Sequence, residues 1–179
     1  MTHRRGSDMV KGLAVAAIGL GLLVAGCGGA PSTGPPRGKA TPQPSSSPAS
    51  GTLSVKAAAA AYLADVAPTN VAITAFQTAS SSWTTSTTDA QAEATAQPLI
   101  SALSTLETKL ETTDWPASAQ ADVKTMTTDV AALNASLETL STLNFLDEGT
   151  WLQGYTTAAG ALGVAVGEVR HDLGLPPGS

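Results

Sequence analysis

From residue 53 onward, apolar side chains recur at alternating spacings of four and three. The first run passes from Val55 through Tyr62, Val66, Thr69, Ile73 and Phe76 to Trp83, and the second from Ala92 through Leu99 and Leu103 to Leu110. A third joins Ala119, Val123, Met126, Val130 and Leu133 to Leu140, and a fourth joins Trp151, Tyr155, Leu162 and Val169. Such spacing keeps one stripe on one side of a 3.6-residue helix. Four stripes of matched length predict an all-α fold, an antiparallel up-down four-helix bundle with helices near 53–83, 88–113, 116–142 and 149–173.

The residues between the stripes agree. Thr88-Asp89-Ala90-Gln91 has the capping-box pattern of a helix start. Asp114-Trp115-Pro116 ends the second helix and sets Pro in the first turn of the third. Leu173-Gly174-Leu175-Pro176-Pro177 supplies a left-handed glycine cap, a residue to fold back and prolines that forbid continuation. Pro68 and Pro98 fall inside stripes whose phase does not skip, so each is expected within one continuous, kinked helix.

Before residue 53 the pattern is different. Residues 1–11 carry Arg4, Arg5 and Lys11, and Gly12 to Gly26 is uncharged and apolar. As a helix that run rises about 22 Å, short of a hydrocarbon core of about 30 Å. A basic start, a short apolar segment and small residues at its end make a secretory signal peptide. The stretch Val24-Ala25-Gly26-Cys27 resembles the lipobox of bacterial lipoproteins. The resemblance implies cleavage between Gly26 and Cys27, a diacylglyceryl lipid on the Cys27 sulfur, and no other cofactor. It also implies residence at the outer, extracytoplasmic face of the cell membrane, and two acyl chains suffice for stable anchoring.

Residues 27–51 would then form a lipidated, disordered tether. The segment is rich in Gly, Pro, Ser and Thr and has no apolar periodicity to offset the entropy of ordering. As a flexible coil it spans roughly 25–30 Å. The bundle domain is expected over 52–175, with 176–179 as a tail. Because the first helix starts at the tether, the end holding Trp115, Arg170, His171 and Asp172 should face the membrane.

Charge narrows the function. From residue 52 onward four basic residues stand against thirteen acidic ones, a net charge of −9 that repels phosphate backbones and excludes nucleic acid as a partner. The chain has one cysteine, so no intramolecular disulfide and no cysteine-based metal cluster. After the expected cleavage, His171 is the only histidine, with none of the spacings of a zinc or di-iron site. There is no nucleophile elbow and no phosphate-binding loop. No catalytic residue and no metal ligand is assigned, and the chain is not expected to be an enzyme.

Two candidate sites remain. Pro68, Pro98, Gly160 and Gly163 share a level of the bundle, where a pocket beside Tyr62, Thr69, Met126 and Leu162 could take a small apolar ligand. The alternative use of those glycines is close helix packing. At the far end, Trp83, Phe145, Trp151 and Tyr155 cluster as a core cap or as a partner-binding tip. The segment Ala61 to Pro68 and the ending Val169 to Pro177 are similar to those of uncharacterised helical lipoproteins of high-GC Gram-positive bacteria. That resemblance implies the helical fold and carries no activity. The expected function is a non-catalytic, membrane-anchored bundle that binds an envelope protein, with carriage or sensing of a small apolar ligand as the second reading.

Overall fold

A computed structural model describes residues 51–84, 86–142 and 148–178. The expected signal peptide, Cys27, the expected tether up to residue 50 and Phe145 lie outside the described residues. The described chain forms four helices: α1 (Val55–Ser80), α2 (Asp89–Thr112), α3 (Gln120–Glu138) and α4 (Glu148–Asp172). Successive helices pack side by side in the order α1–α2, α2–α3, α3–α4, which is the expected all-α, four-helix arrangement. The α1 and α4 backbones approach one another less closely. These two helices meet through large side chains, with the Phe76 and Tyr155 rings 6.4 Å apart.

Local chemistry accounts for each boundary. The Ser54 hydroxyl accepts from Ala57 N–H, and the Leu53 N–H donates to the Asp114 carbonyl, so the chain enters α1 beside the α2–α3 turn. Thr88 and Gln91 complete the reciprocal capping box at the start of α2. Trp115 is buried, and its indole N–H donates to the Leu110 carbonyl at 2.8 Å, satisfying an acceptor at the end of α2. Gly174 takes φ 66°. Leu175 N–H donates to the Arg170 carbonyl and Gly174 N–H to that of His171, the paired bonds of a Schellman cap.

Helix three differs from the sequence reading. Residues 117–119 form a turn, and α3 begins only at Gln120. The Ala119 and Gln120 N–H groups both donate to the Pro116 carbonyl, so the proline leads a tight turn ahead of the helix rather than lying in its first turn. At the other end the α-helix stops at Glu138, and Thr139–Thr142 tightens into a 3₁₀ turn. Pro68 and Pro98 do sit inside unbroken helices, both exposed, where water reaches the carbonyls they leave without a donor.

The core follows the stripes. Tyr62, Leu99, Leu103, Leu110, Met126 and Leu162 are among its largest fully buried side chains. Outer faces are threonine-rich rather than charged. Thr74, Thr105, Thr128 and Thr156, among others, donate to the carbonyl four residues earlier. These bonds let a polar surface form without many ionised groups.

Candidate functional site

The level of Tyr62, Thr69, Met126 and Leu162 is closed. All four are buried at 2 % exposure or less. Thr69 uses its hydroxyl to tie α1 to α2, donating to the Ala102 carbonyl at 3.3 Å. Two clefts of the described surface lie outside these four residues. One, of about 460 Å³, lies beside Trp115, Lys124 and Thr127 near the α2–α3 turn. The other, of about 760 Å³, lies along the outside of α1 from Ala67 to Ala79. The level expected to open beside these four residues is filled by their own side chains, while the α1 cleft reaches Ala67 and Asn70 beside Pro68 on the outer face. The prolines point outward, so their loss of a backbone bond perturbs the surface and not the interior.

The aromatic end is likewise folded inward. Trp151 stacks on Tyr155 with ring centroids 5.3 Å apart, and both are buried. The Trp151 indole N–H donates to the Ser136 carbonyl at 2.7 Å. Phe76 receives Trp83 edge-on at 5.8 Å, and Trp83 is half-buried. Burial pushes the Tyr155 phenol up from its ordinary range. Three of the four residues proposed as a binding tip thus close the top of the core, and the fourth, Phe145, is outside the described residues. Size explains this. Rings need more apolar contact than an exposed end can give them.

Two polar groupings were not foreseen. The first is at the lower end, where Arg170 is buried at 3 % exposure. Its Nε and Nη2 both donate to the Pro176 carbonyl, at 2.9 and 2.6 Å. Tyr62 lies nearby with its hydroxyl buried and without a hydrogen-bond partner. Burial pushes that phenol up to about 12, against the pull of the Arg170 charge. The guanidinium is thus a latch for the tail rather than a membrane-facing charge. His171, next along, is the exposed member, its Nδ1 3.3 Å from the Asp172 Oδ1.

The second grouping spans α3 and α4. Asp122 faces Asp172, and hydrogen bonding of the protonated carboxyl to Asp172, then desolvation and the Asp172 and Glu168 charges, raise the Asp122 carboxyl above its usual range, while His171 opposes. A carboxyl–carboxylate pair needs one proton to be comfortable. Nothing in the linear pattern reveals it, because the two residues are fifty positions apart. Among the described residues no group of three histidine, cysteine or acidic side chains is placed to hold a metal ion.

The surface is divided by chemistry. α2 and α3 carry nine charged residues, whereas α1 carries Lys56 and Asp65 alone, and α4 has none from Gly149 to Gly167. The large apolar side chains exposed among the described residues are Val55, Leu63, Val71 and Val164, all on α1 or α4. On α4 the exposed glycines Gly154, Gly160, Gly163 and Gly167 each have room for a methyl group, so close packing within the bundle does not require them. No helix of the described residues is long and apolar enough to cross a membrane. No family model, curated protein or solved structure gives a significant match to the chain.

Proposed function

We propose that the chain is a lipoprotein, held by a lipid on Cys27 at the outer face of the cell membrane, whose helical bundle is a non-catalytic binding module for an envelope partner. The observation that carries the anchor is Val24-Ala25-Gly26-Cys27 at the end of an apolar run too short to span a bilayer. The bundle beginning at Val55 leaves residues 28–54 as spacer between the lipid and the first helix. The partner reading draws support from the sparsely charged α1–α4 side, which exposes Val71 at 71 % and Val164 at 67 %. The aromatic end supports it less, since its rings are spent on the core. Filling of the mid-bundle level by its own side chains gives the ligand-carrier reading no such support.

Membrane partition of the full chain tests the anchor. The parent should enter the detergent phase and carry the mass of a diacylglyceryl group, while Cys27→Ser should lose both. A Cys27→Ser chain that partitions as the parent does would overturn it.

A further inference from the structure

We infer that the α1–α4 side binds a second copy of this chain in an isologous dimer. This deepens the partner-binding part of the proposed function and is independent of the lipid anchor. Three observations lead there. The exposed large apolar side chains of the described residues all lie on α1 and α4. Charge is sparse along the bodies of these helices, with Lys56 and Asp65 on α1 and none from Gly149 to Gly167 on α4, while α2 and α3 carry nine charged residues. And α1 and α4 are neighbours in the fold, as the Phe76–Tyr155 contact shows, without the close backbone packing of the other neighbouring pairs.

The direction of the α4 glycines matters here. Arg170 acts on Tyr62 of α1 and Asp172 on Asp122 of α3, so the two sides of α4 are assigned. Gly163 precedes Arg170 by seven residues and so falls on the stripe that faces α1. Gly167 is one turn further on. On α1 the exposed ridge Leu63, Ala67, Val71, Ala75 rises at steps of four. A two-fold axis parallel to the helices lays α1 of one copy antiparallel to α4 of the other. With Val71 over Gly163, Ala67 falls over Gly167 and Ala75 beside Gly160. A ridge of apolar side chains then meets a row without side chains, the geometry of close helix contact.

Area and charge select the occupant. α1 has 26 residues and is about 39 Å long, and two neighbouring helices present a strip about 20 Å wide. That is about 800 Å² per copy, or about 1,600 Å² in total, within the range of stable protein interfaces. Pairing through this side also leaves the acidic α2–α3 faces of both copies outermost, where their mutual repulsion is least. A lipid surface fits less well. An interfacial helix draws on flanking basic residues to meet anionic headgroups, and α1 offers Lys56 alone.

The test uses two differently tagged full-length copies co-produced in cells, one with Val71→Cys and the other with Gly163→Cys, treated with a short bismaleimide. A mixed-tag product at least ten times more abundant than from a Lys109→Cys and Gly163→Cys pair is expected. Val71→Asp in the parent should raise the dimer dissociation constant at least tenfold, read by sedimentation of the full chain, with its helical circular dichroism unchanged. Cross-linking no better than the Lys109→Cys control, or a monomer at tens of micromolar, would overturn the dimer. So would binding of the monomer to phosphatidylcholine or phosphatidylglycerol vesicles through Val71. A Val71→Cys adduct to a different protein would overturn the self-association while leaving the partner-binding function standing.

Discussion

Arg170 and Pro176 are joined by a fork in which two guanidinium nitrogens, at 2.9 and 2.6 Å, share one carbonyl oxygen. The bond reaches over the Schellman cap and closes the last turn of α4 onto the chain that leaves it. Arg170 is buried, so its hydrogen bonds are made away from water and its stem packs in the core. Arg170→Ala should cost about 2–4 kcal/mol in chemical denaturation, from two charge-assisted bonds and lost packing. Arg170→Lys, which cannot fork, should lose less. Carboxypeptidase should also trim the tail of either variant sooner than that of the parent.

Tyr62 is the converse case, a buried hydroxyl with no partner. An orphaned polar group of this kind costs about 1–3 kcal/mol. Tyr62→Phe keeps the ring and removes the orphan, so it should raise stability by about 1 kcal/mol. The pH dependence gives a second reading. The native phenol holds its proton up to about 12, above its ordinary value of 10.0, so stability falls as pH rises between those values. In Tyr62→Phe that decline should shrink to the part due to Tyr155, which urea titrations at pH 9 and pH 11 would measure.

The helices were legible in the sequence because their signals are local. Ser54, Thr88 and Gly174 act within four residues of where they sit, and the three-four stripe needs only its own helix. Pro116 misled because a proline that leads a helix and one that leads the turn before it present the same residues. The candidate sites were less legible. Trp151 and Tyr155 read more readily as a cap than as a tip, and their stacking on each other, with Tyr155 against Phe76, decides it. Arg170 carries a charge that usually marks the surface, yet the carbonyl that lets it be buried belongs to a residue beyond the helix. Asp122 and Asp172 meet because α3 and α4 run antiparallel, which depends on the whole fold.

That carboxylate pair predicts a pH effect of definite sign. The folded protein raises the Asp122 carboxyl, so it binds a proton more tightly than the unfolded chain does. The contribution is therefore favourable in acid, below the ordinary carboxylate range, and is lost as pH rises through the raised value. At neutral pH the Asp122 charge faces Asp172 and Glu168, with His171 the nearby opposing group. Asp122→Asn can still donate a hydrogen bond to Asp172 without the repulsion. It should raise the melting temperature at pH 7 and change it little at pH 3.5. An equal shift at both values would count against the shared proton.

The glycines of α4 give the sharpest contrast. Gly163 and Gly167 lie mid-helix with nothing within 4 Å of an added Cβ. A helix-interior glycine costs up to about 1 kcal/mol relative to alanine, chiefly in the entropy lost on folding. Gly163→Ala and Gly167→Ala should therefore each stabilise the monomer by up to about 1 kcal/mol in dilute solution. Gly174 also has open space around it, but its φ of 66° is one that alanine resists. Gly174→Ala should destabilise by about 1 kcal/mol, so free space alone does not set the sign. If Val71 packs over Gly163 across a two-fold axis, Gly163→Ala should show both effects at once. Thermal melts at low concentration would rise, while sedimentation at high concentration would show the dimer weakened. A helix kept weak inside the monomer to admit a neighbour's side chain is what that pair of opposite shifts would mean.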